Sequence, residues 1–271
     1  MNEVVSTVVR FHDPAGLARL ERAIQSLHSQ TDVLVQTIVV TQGFNGDDLA
    51  RVRECVGRQW FFEWMPRPVV LNHADRSRCD IRSDLINLGI EEHKRRGNRY
   101  LAFLDYDDLL YTHAYKTLTA ALSNTAAAVA FAGMEMAHAV GLQDYDFIYE
   151  MSKPFKGKNK LDLVHENFAP LHSYMVDCSK VSAHELQFRS ELNRVEDYDF
   201  LLRVAGPNPC DFSQLKVCIG AYIQRSDDSN TTPKGVDTPE DKIKQEVWKA
   251  NRDLLNSLRS TYEVKLFASD L

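Results

Sequence analysis

The sequence lacks several features that mark whole classes of protein. No stretch approaches the roughly 18 consecutive apolar residues of a membrane-spanning helix, so no such helix is expected. Residues 1–5 contain no basic segment leading into a long apolar one, so we expect no signal peptide. Basic residues are not in excess, since 32 lysines and arginines stand against 38 acidic residues, giving a formal net charge of −6. Because nucleic-acid binders usually carry a basic footprint, we expect no nucleic acid as a partner.

Cysteines at metal-binding spacing are absent as well. No two cysteines form a C-x-x-C pair, which excludes the usual zinc-finger spacing. An odd number of scattered cysteines is typical of reduced thiols buried as small apolar side chains. The five are Cys55, Cys79, Cys178, Cys210 and Cys218. We therefore expect a cytoplasmic location, and we leave open a peripheral contact with the inner face of the membrane.

The order of apolar segments predicts an α/β fold. Residues 4–9 and 33–41 are rich in β-branched side chains and predict buried strands. Between them, after Asp13 and Pro14 as a helix start, apolar residues recur at helical spacing. This order is typical of a mostly parallel central sheet flanked by helices. We expect a single domain over residues 1–235, with a C-terminal helical extension, residues 236–271, packed on it.

The rest of the chain continues this alternation. Strands are predicted at residues 100–104, 126–132, 171–178 and 217–224, and helices around residues 48–56, 81–93, 114–122, 198–204 and 246–258. Residues 60–71 predict a short strand with an irregular turn. Residues 152–161 and 226–240 are polar and contain prolines, so they are predicted to be exposed loops.

Three carboxylates follow a short apolar strand near the middle of the chain. Asp105, Asp107 and Asp108, with Tyr106 among them, come directly after residues 100–104. The carboxyl end of a strand is where ligands bind in open α/β sheets. Carboxylates this close repel one another, and a hard cation such as Mn²⁺ or Mg²⁺ relieves that repulsion. Such an ion also neutralises a leaving diphosphate, so the cluster predicts a metal and nucleotide site.

Two other interpretations of this cluster are open. It fits an acidic turn that caps the next helix, although a cap needs one carboxylate and not three. Asp108 alone fits a cap well. Phosphatases of the haloacid dehalogenase type also place D-x-D after a strand. They carry Thr or Val two residues past the second Asp, where this chain has Leu109, and they use the first strand of the fold.

Five segments in the right order resemble the family 2 glycosyltransferases, which have the GT-A fold. Residues 4–12 resemble the opening strand of that family, and residues 23–31 its A-l-x-S-l-x-x-Q-t helix end. Residues 87–90 are similar to its R-N-x-G-i segment. Residues 103–108 match the signature F-L-D-x-D-D, and residues 196–203 match the block E-D-x-d-x-x-x-R. The resemblance covers residues 4–232 and implies an inverting transferase of the bacterial surface-polysaccharide type.

The resemblance also implies roles for individual residues. Asp197 would be the catalytic base that takes the proton of the acceptor hydroxyl. Asp105 and Asp107 would hold Mn²⁺ or Mg²⁺. The donor site would comprise Arg10, Phe11, Gln42, Arg82, Asn87, Asp105, Tyr106 and Arg225. The implied partners are a nucleotide-sugar of the UDP, GDP or dTDP type and a glycan or lipid-linked acceptor.

The chain departs from the family pattern at three points. Gln42 stands where family members often carry an Asp that contacts the uracil edge, which leaves the nucleotide base open, although an amide can still donate and accept. Ile86 stands where an Arg is common, and Arg82 one turn earlier lies on the same helix face. All nine histidines precede Asp197. Water, phosphate oxygens or Asp108 would therefore complete the metal shell.

The acceptor side is less well defined by the sequence. His165, His172 and Tyr174 are candidates to line it. Four aromatic residues are candidates to stack on sugar rings, although aromatics at such spacing are more often core; they are Trp60, Trp64, Tyr145 and Tyr149. The lysines of residues 153–160 predict a solvated loop, with an anionic acceptor or a membrane surface as the alternative.

Two other functions are kept as alternatives. A nucleotidyltransferase on a similar sheet would need a glycine-rich loop with a lysine after the first strand, and residues 12–16 lack it. A non-catalytic subunit that binds nucleotide-sugars would retain the fold without turnover. Nucleotide binding and turnover together distinguish these alternatives from a transferase.

Overall fold

The computed structural model describes residues 3–73, 81–142, 145–226 and 238–270. The strands in these ranges are β1 Val4–Phe11, β2 Leu34–Gln42, β3 Val69–His73, β4 Tyr100–Asp105, β5 Leu109–Leu110, β6 Val129–Gly141, β7 Asp146–Ser152, β8 Tyr174–Asp177 and β9 Cys210–Arg225. The α-helices are α1 Leu17–His28, α2 Gly46–Arg58, α3 Arg82–Arg96, α4 Ala114–Leu122, α5 Lys160–His165, α6 Glu196–Ala205 and α7 Pro239–Arg259.

The described strands form one sheet in the order β3-β2-β1-β4-β8-β6-β9-β5, with β7 paired to β6. The first four strands of this order are parallel to one another, and β6 is parallel to β9. The contacts made by β8, β7 and β5 are antiparallel. The predicted α/β fold with a central sheet flanked by helices is therefore confirmed, and its described strands make four parallel and four antiparallel pairings.

The central strands are buried on both faces, which explains their continuous apolar sequence. In β4, Ala102 and Leu104 belong to the core on one face of the sheet, and Leu101 and Phe103 belong to the core on the other. This alternation follows from the two-residue period of a strand. Helix α3 lies close to β1, and a Cβ atom at Gly89 would stand 2.4 Å from a methyl carbon of Val8. The close packing therefore requires glycine at this position.

The strand order creates a crevice at the carboxyl ends of β1 and β4. Strand β1 lies between β2 and β4, so the chain leaves it toward one side and later returns on the other. Ligands bind at such a switch point in open α/β sheets. Arg10 of β1 and Asp105 of β4 are register partners there. The sheet topology thus places the acidic cluster of the sequence at the expected edge.

Several predicted elements differ from the structure in their extent. Asp13 caps a short 3₁₀ turn, Pro14–Gly16, through a hydrogen bond from the Ala15 backbone N–H, and α1 begins only at Leu17. The strand predicted at residues 126–132 begins at Val129 and continues to Gly141. Helix α7 begins at Pro239, seven residues before the predicted start, with Thr238 as its N-cap. Most of the loop predicted at residues 226–240, and Cys79, lie outside the described residues.

One prediction about the lysine-bearing segment is wrong. Lys160 was expected in a solvated loop, but its side chain is fully buried and begins helix α5. Its ammonium group lies 2.8 Å from the Asp270 carboxylate and donates to the carbonyls of Asn208 and Lys265. A buried charge is tolerated when it is paired and hydrogen-bonded. The reason for the error is that these partners come from distant parts of the chain.

The C-terminal residues contact the rest of the protein through this ion pair. Asp270 also accepts hydrogen bonds from the backbone N–H groups of Cys210 and Phe267, at 2.8 and 2.6 Å. Asn251 of α7 accepts from the backbone N–H of Asn193 at 3.0 Å.

In the part of the chain that the structure describes, none of the helices combines the length and the apolar sequence that a membrane span needs.

Candidate functional site

A cavity of about 300 Å³ opens at the carboxyl ends of β1 and β4. Its walls combine charged, polar, aromatic and aliphatic side chains from eight parts of the chain, namely Arg10, Arg82, Asp105, Phe155, Asn167, Pro170, Leu171, His172, Arg194, Val195, Glu196, Asp197, Tyr222 and Trp248. A larger cavity of about 520 Å³ lies beside Arg203 and Tyr262 and contains none of the predicted site residues. The smaller cavity is therefore the candidate site.

Arg10 joins the two acidic motifs of the sequence. One terminal nitrogen of its guanidinium donates to Asp105 at 2.9 Å, and the other lies 3.4 Å from Glu196. Arg82 lies 3.7 Å from the same Glu196 oxygen. Each of these side chains is one quarter exposed or less. Positive and negative groups thus alternate along one wall, and an entering anion meets arginine as well as carboxylate.

Asp197 has an environment suited to proton transfer. It lies in the first turn of α6, and one carboxylate oxygen accepts from the Tyr198 backbone N–H at 2.8 Å. Burial, with added repulsion from Glu196, raises the pKa of Asp197 to about 7. A base works best when its pKa lies near the working pH. Val195, the residue before α6, has φ 55°, a strained conformation for a β-branched residue.

The three carboxylates that follow the apolar part of β4 differ in their exposure. The Asp108 backbone N–H donates to the Asp105 carbonyl at 3.1 Å, which turns the chain after β4. The Asp105 and Asp107 side chains are 25% and 26% exposed. Asp108 is buried and accepts from the Ile223 backbone N–H at 2.7 Å. Asp108 is therefore not a helix cap, and α4 starts after His113 instead.

Arg225 holds Asp107 in place. Both of its terminal nitrogens donate to one oxygen of Asp107, at 2.8 and 2.7 Å. Its third nitrogen donates to Asp146 at 3.3 Å, and Arg22 binds Asp146 at 2.8 Å from the other side. The Arg225 side chain is 1% exposed. The arginine predicted to meet phosphate is thus bound to the second carboxylate of the acidic cluster.

Two predicted donor residues belong to an aromatic cluster next to the cavity. Phe11 is fully buried and lies edge-on to Phe44 and Tyr106, with ring centroids 5.6 and 5.0 Å away. Tyr106 is 9% exposed and also lies edge-on to His12 at 5.5 Å. In this structure Phe11 and Tyr106 therefore pack beneath the crevice and are not among the residues that line it.

Two further predicted donor residues lie away from the cavity walls. Asn87 binds both backbone groups of Phe188, accepting at 2.7 Å and donating at 2.8 Å. Through these two hydrogen bonds, Asn87 connects α3 to the segment that precedes α6. Gln42 ends β2 beside His73 of β3 and is partly buried. Arg10, Arg82, Asp105 and Asp197 are brought together in the cavity.

His172 is an acceptor-side candidate that does line the cavity. Its ring is 1% exposed, stacks on Tyr222 with centroids 6.4 Å apart, and lies 3.6 Å from Asp108. The buried Tyr174 hydroxyl has no hydrogen-bond partner within the described ranges. Burial lowers the pKa of His172 to about 4. A neutral imidazole that can donate and accept therefore faces the cavity.

The other acceptor-side candidates are not gathered at the cavity. Trp60 donates to the Met65 carbonyl at 3.0 Å, and Trp64 is 66% exposed on the same loop after α2. Tyr145 and Tyr149 are 63% and 55% exposed near and within β7. His165 ends α5 and does not line the cavity.

Sequence reasoning missed several lining residues, among them Arg194 and Trp248. Arg194 directly precedes the E-D motif, and this proximity was the only signal for it. Trp248 comes from α7, within the predicted C-terminal extension. Its position depends on how α7 packs, so no local pattern could place it at the site.

The acidic cluster fits a divalent metal bound by few protein ligands. Among the described residues, no three His, Cys, Asp or Glu side chains are arranged to hold an ion by themselves. Asp105 and Asp107 each have one oxygen engaged by arginine and keep partial exposure. Mg²⁺ is commonly held by one or two carboxylates together with substrate phosphates. The two carboxylates thus fit a metal that arrives with, or is completed by, a diphosphate.

Solved structures of other proteins share the fold of this chain, whereas sequence comparisons find no match. No family model and no curated protein sequence matches this chain. The crystal structure of TarS residues 1–349 from Staphylococcus aureus in complex with UDP has a TM-score of 0.58 at 13% identity, covering 96% of this chain and 73% of that one. The corresponding complex with UDP-GlcNAc has a TM-score of 0.59, also at 13% identity, covering 96% and 74%.

A second enzyme gives a similar result. The mannosyltransferase PcManGT from Pyrobaculum calidifontis, in complex with GDP-Man and Mn²⁺, has a TM-score of 0.54 at 8% identity, covering 83% of this chain and 58% of that one. The full TarS structure is matched over 40% of its length. The protein therefore has the GT-A-type glycosyltransferase fold, as the sequence resemblance implies.

Proposed function

We propose that this protein is a metal-dependent, inverting glycosyltransferase. The observation that carries the proposal is the meeting of Asp105 and Asp197 in one cavity, joined by Arg10 and Glu196. Two structures with this fold contain nucleotide-sugars, UDP-GlcNAc in TarS and GDP-Man in the mannosyltransferase. The cavity offers both a candidate base and positive groups for a diphosphate.

The reaction needs a proton acceptor on one side of the sugar and charge stabilisation on the other. Asp197 takes the proton of the acceptor hydroxyl as that oxygen attacks the anomeric carbon. The bond to the diphosphate breaks in the same displacement, so the anomeric configuration inverts. Arg10, Arg82 and Arg194 line the cavity and offset the charge of the departing diphosphate. A divalent ion, Mn²⁺ or Mg²⁺, held by Asp105 and Asp107 would supply further charge neutralisation.

The proposed donor is a nucleotide-sugar of the UDP, GDP or dTDP type. Gln42 lies at the carboxyl end of β2, where an amide can pair with several base edges. Phe11, Tyr106 and Asn87 would support the donor site from below, and Arg225 would act through Asp107. Thermal shift with UDP, GDP or dTDP and Mn²⁺ identifies the base, because a ligand that binds the native state raises the unfolding temperature.

The proposed acceptor is a hydroxyl of a glycan or of a lipid-linked saccharide. Trp248 and His172 line the same cavity as Asp197. An aromatic ring packs against the apolar face of a sugar, and a neutral imidazole can both donate to and accept from a hydroxyl. We further propose a cytoplasmic location at the inner face of the membrane. The free thiols of the four described cysteines agree with a reducing compartment.

Donor hydrolysis with Mn²⁺ tests this proposal. Asp197→Asn should lose at least a hundredfold in turnover because it removes the base. Asp107→Asn should lose activity that added Mn²⁺ restores only in part. Asp32→Asn is the matched control, since Asp32 is exposed and pairs only with Lys116 at the surface. Full activity of both site variants would contradict the assignment.

Calorimetry separates the alternatives. A non-catalytic subunit would bind nucleotide-sugar without turnover in the presence of metal and acceptor. A nucleotidyltransferase would release pyrophosphate from a nucleoside triphosphate and sugar phosphate. A transferase instead releases a nucleoside diphosphate.

A further inference from the structure

Large apolar side chains are exposed along the β6–β7 hairpin. In β7 the most exposed are Phe147 at 58%, Tyr149 at 55% and Met151 at 45%. Tyr145, just before β7, is 63% exposed, and Val140 and Leu142 on the β6 side are 40% and 43% exposed. Exposed apolar patches of this kind mark interaction surfaces.

The packing of the hairpin explains why these side chains stay exposed. Among the described strands, β7 pairs only with β6. The β6 residues opposite Met151 and Ile148 are Ala137 and Ala139, which are too small to cover them. The register also shifts beside Ala139, so Tyr149 has no register partner on β6, although its ring lies 6.3 Å from that of His138. The strand is thus held by its backbone and by Asp146, while its large side chains face outward.

Basic residues follow this apolar strand directly. Lys153, Lys156 and Lys158 are exposed, and the Lys153 side chain is 71% exposed although it lies 3.4 Å from Glu135. Glu150 is the only exposed acidic residue of β7. The protein as a whole carries a formal charge of −6, so this local excess of lysine stands out.

We propose that the exposed apolar side chains of residues 140–142 and 145–151, together with Lys153, Lys156 and Lys158, bind an anionic lipid bilayer. Tyrosine and tryptophan favour the interface between lipid and water, because one end of the ring is apolar and the other is polar. Lysines near the surface are attracted to acidic headgroups. This set of residues is called the hairpin surface below.

The hairpin surface adjoins the candidate active site. Phe155, between Lys153 and Lys156 in the sequence, lines the cavity that contains Asp197. Asp146 at the start of β7 binds Arg225, which holds Asp107. A bilayer at the hairpin surface therefore places the cavity beside the membrane. On the proposed function, this selects a membrane-lipid-linked acceptor over a freely dissolved glycan.

A second aromatic surface offers a matched comparison. Phe61 and Phe62 are 65% and 55% exposed on the loop between α2 and β3. This loop follows the end of α2 and leads to Arg67, whose carbonyl accepts from Gln36 near the start of β2. It therefore lies at the amino ends of the strands, opposite the cavity. The loop carries Arg67 and no lysine, and it is the comparison surface because its aromatic side chains are equally exposed but lie away from the site.

Co-sedimentation of the full chain with lipid vesicles tests the proposal. The unmodified protein should pellet with phosphatidylcholine vesicles that contain phosphatidylglycerol, and much less with phosphatidylcholine alone. Phe147→Ser with Tyr149→Ser should lower the partition coefficient at least tenfold, because two aromatic side chains no longer leave water. Lys156→Gln with Lys158→Gln should lower it about fivefold per lysine. Phe61→Ser with Phe62→Ser should leave it unchanged.

Several results would overturn the proposal. The unmodified protein could fail to pellet with the vesicles. The Phe147/Tyr149 variant could bind vesicles as well as the Phe61/Phe62 variant does. The Phe61/Phe62 variant could lose vesicle binding instead. Sedimentation velocity tests the main alternative, in which a second copy of the chain binds the hairpin surface. A dimer that dissociates only in the Phe147/Tyr149 variant would show that this surface is an interface between copies. Unfolding temperatures confirm that the variants are folded. The Asp197→Asn variant should bind vesicles as well as the unmodified protein does. Failure of the proposed transferase activity can therefore be distinguished from failure of membrane binding.

Discussion

Both terminal nitrogens of Arg225 donate to the same carboxylate oxygen of Asp107, at 2.8 and 2.7 Å. The arginine is buried, and the carboxylate keeps about a quarter of its surface exposed. This arrangement leaves the other oxygen of Asp107 available to a cation. The orientation of one proposed metal ligand thus depends on a residue from the far end of β9.

Arg225→Lys should raise the Mn²⁺ concentration needed for half-maximal donor hydrolysis about tenfold. A lysine retains the charge but cannot form the paired hydrogen bonds that orient the carboxylate. Residues that orient a metal ligand typically contribute about 10- to 100-fold to metal affinity. Arg99→Lys is the control, because Arg99 binds Asp177 in a similar way at the start of β4, away from the cavity. An unchanged Mn²⁺ requirement would refute the role of Arg225.

The rate of glycosyl transfer should fall at acid pH with the titration of Asp197. Burial and Glu196 raise its pKa to about 7, and only the ionised carboxylate can accept a proton. The value of kcat/KM should therefore rise with pH and level off above about pH 8. Glu196→Gln removes the neighbouring negative charge and should move the acid limb to lower pH. A pH profile with no limb between about pH 5 and 8 would speak against Asp197 as the base.

Trp248→Leu should weaken the acceptor more than the donor. The loss of ring stacking is expected to raise the acceptor KM about tenfold. Any change in donor KM should be smaller, because the proposed position of the diphosphate is beside Arg10, Arg82 and Arg194. Trp64→Leu provides the control on an exposed tryptophan of the α2–β3 loop. Equal effects of Trp248→Leu on both KM values would contradict the proposed contact between the Trp248 indole and the acceptor.

Lys160→Met should lower the free energy of unfolding by about 3–5 kcal/mol, because it leaves the buried carboxylate of Asp270 without its partner. Urea denaturation measures this change. Lys265→Met is the control in the same C-terminal region, since Lys265 is 54% exposed and its pair with Glu263 contributes about 0–1 kcal/mol. A small effect of Lys160→Met would mean that residues 236–271 are not part of the same folding unit. The boundary at residue 235 would then separate independent units.

The sequence was sufficient to locate the central elements and the proposed chemistry. The apolar runs of β1 and β4 predicted strands because a strand buried on both faces must be apolar throughout. Asp105 is the last residue of β4, so its position at the sheet edge follows from strand direction alone. Asp197 was found because residues 196–203 resemble a family block, which lies at a helix start. Local order along the chain determines all of these features.

The tertiary structure decided the features that join distant segments. Arg10 meets Asp105 across 95 residues and Glu196 across 186 residues. Lys160 is buried because Asp270 comes from the C-terminal end, and Trp248 reaches the cavity because α7 packs beside it. The apolar hairpin at β7 had no periodic pattern, since both of its faces are exposed. The sequence by itself determined which residues end the strands, whereas pairing, burial and exposure required the folded chain, because each depends on partners that local sequence does not contain.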